Sequence, residues 1–193
     1  MRRICVFCGS SPGARPRYMD AAKNLAQYLA ANKVAIVFGG SNLGLMGVLA
    51  DTALKAGGDV IGVIPQNLVE REVSHPGLRD LRVVNSMHER KALMAELSDA
   101  FIAMPGGFGT FEEFCEVLTW SQLGLHGKPC GLLNVEGYFD HLLALFDHAV
   151  AEKFLKPEHR RMVIADSCPE SLVERLREYH TPRVEKWIDR AQT

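Results

Sequence analysis

Apolar and polar positions along this chain follow two rhythms. Short runs, several of them continuously apolar, stand at Ile4–Cys8, Val34–Phe38, Val60–Ile64, Arg82–Val84, Ala100–Met104, Cys130–Leu133 and Met162–Ala165. Such runs read as strands of a parallel sheet covered on both faces, where neither face has to be polar. Between them lie longer stretches with helical spacing of apolar positions, at 17–31, 44–56, 87–97, 111–123, 138–152, 169–179 and 183–191. Strand and helix alternating at this spacing predict βαβ units, hence an α/β fold with a doubly wound, mainly parallel sheet and helices on both faces. No linker, repeat or low-complexity stretch interrupts the pattern, so residues 1–193 are expected to form a single domain.

Composition supports a soluble globular chain and narrows its partners. Hydrophobic residues make up 47% and charged residues 23% of 193 positions, enough for one sizeable core. Lys and Arg number 22 against 23 for Asp and Glu, and the basic residues are scattered. Without a basic stripe, neither nucleic acid nor a membrane is an expected partner. Cys5 and Cys8 form a CxxC inside the first strand, where residues three apart face opposite sides. No second Cys or His pair stands at zinc-ligand spacing, so buried thiols and no metal are expected. The first apolar run is too short for a secretory signal, and a reducing, cytoplasmic location is the expectation.

Glycines cluster after strands. Gly9-Ser10 follows the first, Gly39-Gly40 with Gly44 and Gly47 follows the second, and Gly106-Gly107-Phe108-Gly109-Thr110 follows the run at 100–104. Loops after strands gather at one edge of an open parallel sheet, where ligands bind at the switch in strand order. Glycine there lets backbone N–H groups approach an anion, and the next helix adds the positive end of its dipole. None of the clusters reads GxxxxGK[ST] or GxGxxG, and the second strand ends on glycines rather than an acidic residue. A monophosphate held by backbone, with no cofactor, fits these loops better than a nucleoside triphosphate or a dinucleotide.

Two charged side chains are placed oddly for solvated residues. Ser86 and Glu89 have capping-box spacing, which starts a helix whose apolar stripe is Leu93, Met94 and Leu97. Arg90 shares that stripe, an unfavourable place unless it meets an anion; Lys91 turns away from it. Thr110 and Glu113 repeat the capping-box spacing, so Glu113 has either a capping role or a chemical one. Its place one turn from the presumed phosphate, on a row with Val117 and Trp120, favours chemistry. Glu112 reads as the solvated neighbour. No His, Ser or Cys stands in a nucleophile-elbow motif, and a hydrolytic triad lacks support.

The run Met87-His88-Glu89-Arg90-Lys91, followed by Pro105-Gly106-Gly107-Phe108-Gly109-Thr110-Phe111-Glu112-Glu113, resembles the paired signature of the LONELY GUY family. Cys8-Gly9-Ser10-Ser11, Gly44-Leu45-Met46-Gly47, Thr119 to Gly124 and Pro129 to Tyr138 extend the resemblance over roughly residues 3 to 175. Family members are cytokinin riboside 5′-monophosphate phosphoribohydrolases. The resemblance implies a Rossmann-like fold, a nucleoside 5′-monophosphate substrate, and a homodimer with sites near the subunit interface. It implies Arg90 and Glu113 as the catalytic pair, Gly107 to Thr110 as the phosphate loop, and Glu72, Lys91 and Thr119 as further substrate contacts. Phe108 and Phe111 replace the Tyr and Leu of many members. Related sequences carry the label lysine decarboxylase, but nothing here marks a pyridoxal-phosphate lysine. Two other classes remain open: a ribosyltransferase with another acceptor, and a non-catalytic nucleotide-binding module.

Overall fold

Each of the seven apolar runs forms a strand, and all seven join one sheet in the computed structural model, which describes residues 1–69 and 74–180. In chain order the elements are β1 (Arg3–Phe7), α1 (Pro16–Ala31), β2 (Ala35–Phe38), α2 (Gly44–Lys55), β3 (Val60–Pro65), α3 (Gln66–Val69), β4 (Asp80–Val84) and α4 (Met87–Leu97). They continue with β5 (Ala100–Ala103), α5 (Phe108–Gln122), β6 (Cys130–Leu133), α6 (Asp140–Ala151), α7 (Pro157–Arg160), β7 (Val163–Asp166) and α8 (Pro169–Arg177). A single 3₁₀ turn at Val135–Gly137 leads into α6.

The strand order is β4-β3-β2-β1-β5-β6-β7, and every pairing is parallel. Successive strands therefore step outward to one side of β1 and, from β5, to the other. The switch lies between β1 and β5, where Ile4 pairs with Ala100 and Phe7 with Ala103.

Alternation along β1 shows how both faces are covered. Ile4, Val6 and Cys8 pack with Leu25 and Leu29 of α1, Leu45 and Leu49 of α2, and Leu172 of α8. Cys5 and Phe7 pack on the opposite face with Met94 of α4, Phe114 of α5 and Phe139. The two thiols of the CxxC thus stand on opposite faces, buried and free, as the strand period requires.

The expected helices form within a few residues of their predicted bounds, apart from 183–191, which lies outside the described residues. Two short helices, α3 and α7, carry too few residues to show a period. The informative difference is α5, which begins at Phe108 rather than 111. Among the described residues no helix is long and apolar enough to cross a membrane.

Candidate functional site

The loops after β1, β2 and β5 converge at the switch, as the glycine clusters predict. Gly9 donates its N–H to the Pro105 carbonyl at 3.1 Å, and its own carbonyl accepts from Leu45 N at 3.0 Å. Gly44 has φ +54, and a Cβ there would stand 2.3 Å from the Ser10 carbonyl carbon, so only glycine lets α2 begin against this backbone. Gly40, with φ +75, faces Ile64 and Leu81 and makes the turn out of β2. Neither Gly40 nor Gly44 lines the cleft described below.

The start of α5 overturns the second capping box. Gly107 is the N-cap, extended at φ −99 and ψ −155, with no side-chain cap. The first N–H to find a helical acceptor is that of Phe111, on the Gly107 carbonyl at 3.1 Å. Those of Gly107 to Thr110 point out of the helix end, the condition that favours an anion. A Cβ on Gly107 or Gly109 would meet nothing within 4 Å, so these glycines leave the backbone open to a ligand. Thr110 is buried within the first turn, and Glu113 lies inside the helix, so Glu113 caps nothing.

The first capping box forms, with one adjustment. Ser86 Oγ accepts from Glu89 N at 3.1 Å, while the Glu89 carboxylate accepts from Asn85 N at 2.8 Å rather than from Ser86. This start aims Arg90 at the sheet. Its Nε donates to the Val63 carbonyl at 3.1 Å, and its Nη1 donates to Glu113 Oε1 at 2.9 Å. The pair is nearly buried, with side-chain exposures of 12% and 9%. Burial pushes the Glu113 carboxyl above its ordinary range, and the Arg90 charge pulls the other way. The Cys8 thiol, which shares the cleft, is pushed up by burial and by the Glu113 charge, and so is a poor nucleophile.

Arg90 and Glu113 line a cleft of about 310 Å³ together with Gly9, Ser10, Gly39 and the Gly107–Thr110 segment. Beyond the end of β1, the apolar part of its wall is built from Met46, Leu68 and Met94. These three look like ordinary core residues in the sequence and were not anticipated there. Phe108 stands 93% exposed at the rim. Among the described residues no group of three His, Cys, Asp or Glu side chains is placed to hold a metal ion.

Other expected site residues fall elsewhere. Lys91 does not turn outward: it is 8% exposed, and its ammonium donates to Glu112 and, at 3.0 Å, to Glu116. Glu112 is therefore not a free carboxylate, although its side chain is 54% exposed. Phe111 packs against Tyr138 and Phe139. Thr119 bonds the Cys115 carbonyl at 2.7 Å and lines a separate cleft of about 250 Å³ beside Phe154. Glu72 lies outside the described residues.

The sequence matches curated relatives along most of its length. A rice protein (Oryza sativa subsp. japonica), named as a probable cytokinin riboside 5′-monophosphate phosphoribohydrolase, is 54% identical over 178 residues, 92% of this chain and 78% of its own. An Arabidopsis thaliana protein named as the same enzyme is 48% identical over 185 residues, 96% of this chain and 86% of its own. The chain belongs to the LONELY GUY family. Residues 46–176 also match a family described as "possible lysine decarboxylase", the label already noted for LONELY GUY relatives. Among solved structures, a molybdenum cofactor binding protein from Rippkaea orientalis is 26% identical, with TM-score 0.69 over 92% of this chain and 97% of that one. The molybdenum cofactor carrier protein of Chlamydomonas reinhardtii, 21% identical, has TM-score 0.70 over 92% and 99%. The latter likeness shows that this LONELY GUY member shares a Rossmann-like fold, and nothing more.

Proposed function

We propose that this chain hydrolyses the N-glycosidic bond of adenine-type nucleoside 5′-monophosphates, N6-prenylated cytokinin ribosides or AMP, to free base and ribose 5-phosphate. The observation that carries this reading is that an ionisable carboxylate, Glu113, shares one cleft with the uncapped start of α5. The N–H groups of Gly107 to Thr110 hold the 5′-phosphate. Met46, Leu68 and Met94 offer an apolar wall to the base. That arrangement brings the anomeric carbon towards Glu113.

As the bond from that carbon to the base nitrogen breaks, its electrons leave with the base and positive charge builds on the sugar. Water supplies the oxygen that bonds the anomeric carbon, and a proton ends on the base. A carboxylate beside the sugar stabilises the cation, takes the proton from water or forms a transient ester, by analogy with glycoside hydrolysis. In each form of the step the carboxylate must be ionised. Arg90 favours that state and fixes its direction.

The test is chromatography of products from AMP, isopentenyladenosine monophosphate and their nucleosides, incubated in parallel. Free base and ribose 5-phosphate are expected from the monophosphates and far less base from the nucleosides. A ribosylated acceptor would indicate a transferase, and binding without turnover a non-catalytic module. Family membership and the apolar cleft beside Phe154 support a cytoplasmic homodimer, for which light scattering should give about twice 21.4 kDa.

A further inference from the structure

The loop Asn134–Phe139, after β6, contributes no residue to the cleft lining, yet it reaches the phosphate loop from behind. The Tyr138 hydroxyl donates a hydrogen bond to the carbonyl of Gly106. We propose that Tyr138 is a positioning residue for the 5′-phosphate, acting through the peptide between Gly106 and Gly107. This rests on the reading that Gly107 to Thr110 hold that phosphate.

The argument is one of peptide geometry. In a trans peptide the carbonyl of one residue and the N–H of the next point in opposite directions, and no cis peptide occurs among the described residues. Holding the Gly106 carbonyl on the Tyr138 side therefore aims the Gly107 N–H the other way. Gly107 lines the cleft, and among the described residues its N–H has no acceptor. The same bond polarises the peptide, which makes that N–H a stronger donor to an anion.

Glycine at 106 leaves the peptide otherwise lightly held. The neighbouring Pro105 carbonyl accepts from Gly9 N, while Gly106 itself has no side chain to anchor it. A Cβ there would stand 2.1 Å from Thr110 Oγ1, so none is tolerated. The hydroxyl supplies the missing anchor.

Tyr138 is itself held by three aromatic rings and by its own backbone. Its ring meets Tyr18 edge-on at 5.8 Å and Phe139 edge-on at 5.1 Å, and stacks on Phe111 at 6.4 Å. Its N–H bonds the Val135 carbonyl at 3.0 Å. Asn134 closes the loop by accepting from Phe139 N and donating to Asp140, both at 2.7 Å. Gly137, with φ +72, makes the turn. A ring fixed this firmly can impose its direction on a glycine peptide.

Tyr138→Phe keeps the ring and deletes only the hydroxyl, so the fold survives; Tyr138→Leu removes both. The readouts are KM and kcat for AMP and isopentenyladenosine monophosphate, the inhibition constant of ribose 5-phosphate, and melting temperature. For Tyr138→Phe, KM and the inhibition constant should rise together by about three- to tenfold, as loss of one well-aligned hydrogen bond implies, with kcat within about twofold. Unchanged constants in Tyr138→Phe alongside a melting loss in Tyr138→Leu would overturn the proposal, leaving Tyr138 a packing residue. A fall in kcat at constant KM would also overturn it. If the parent cleaves nucleosides as well as their monophosphates and ignores ribose 5-phosphate, the phosphate reading itself fails, and this proposal with it.

Discussion

Arg90 and Glu113 are joined at 2.9 Å across the C-terminal edge of the sheet, the first from α4 and the second from α5. Arg90 is simultaneously tied to the Val63 carbonyl of β3, so the guanidinium bridges three elements. A pair this buried is weak evidence for stability, because desolvating both charges offsets most of their attraction. It is stronger evidence for a function, since a buried carboxyl shifted by its surroundings and held in a cleft, as Glu113 is, is a common mark of a working site.

Glu113→Gln removes the charge and keeps the shape. Because Glu113 caps nothing, the stability change comes from Arg90, which loses its counter-charge but keeps an amide oxygen as acceptor. Relief of the carboxylate's desolvation offsets that loss, so stability should change by no more than about 1 kcal/mol, while kcat should fall about 10²–10⁴-fold. Glu112→Gln is the control: Lys91 retains Glu116, and the exposed half of the triad should cost no more than about 1 kcal/mol. Base release and melting curves on both variants decide the matter. Substantial activity in Glu113→Gln would remove Glu113 from the chemistry.

Arg90→Lys keeps a positive charge but loses the planar fork that reaches Val63 and Glu113 in two directions. A single ammonium lacks the two fixed donor directions that serve these acceptors. We expect kcat/KM to fall by about 10–100-fold, the equivalent of one charge-assisted hydrogen bond. A near-normal rate would mean that charge alone suffices.

How much of this was legible in the sequence varies residue by residue. The seven strands were, because parallel strands buried on both faces leave near-continuous apolar runs. Arg90 was, because a charge on an apolar stripe has few innocent explanations. For Glu113 the capping-box spacing offers a rival, purely structural role, and the structure shows that spacing to be accidental. Glycines at 107 and 109 disguise the helix start, since glycine is a poor helix former, and Thr110 then looks like a cap. Lys91 is harder to place from sequence, because a small Ala95 and a polar Ser98 hide the fact that, with Met94, they make its row an inward one. Met46, Leu68 and Tyr138 carry no signal that separates a cleft or a brace from a core. Their roles come from loops distant in sequence meeting at one edge.

The pH dependence follows from the burial of Glu113. Its carboxyl is raised above the ordinary range, so the ionised form is lost at higher pH than in a free glutamate, about 4.3. The kcat/KM, which reports the free enzyme, should climb with pH along a limb centred above that value and level off once Glu113 is ionised. Stability should move the opposite way. The folded state holds this proton more tightly than the unfolded chain, so the Glu113 contribution declines as pH rises between the unfolded and folded pKa values. The substrate phosphate, whose second pKa is about 6, adds its own limb to kcat/KM, and the Glu113→Gln profile separates the two. Persistence of the same limb in Glu113→Gln would assign it to another group.

Two glycine substitutions separate the chemical half of the cleft from the phosphate half without touching a charged residue. At Gly39 a Cβ would stand 2.2 Å from Arg90 Nη2 and 3.2 Å from Met46 Sδ. The backbone there is not in the left-handed region, so alanine fits the chain and the flexible guanidinium must yield. Gly39→Ala should therefore draw Arg90 off Glu113 and lower kcat by at least about tenfold, the cost of one misplaced hydrogen bond. At Gly109 a Cβ meets no protein atom within 4 Å. Alanine there, in the first turn of α5, should stabilise the helix by up to about 1 kcal/mol. It also places a methyl group where the phosphate approaches, so KM for the monophosphates should rise while kcat at saturation is largely kept. Measuring kcat, KM and melting temperature for both variants checks the division. If Gly109→Ala leaves KM unchanged, the phosphate does not approach the start of α5 at that residue. If Gly39→Ala leaves kcat unchanged, Arg90 need not stand where the structure holds it.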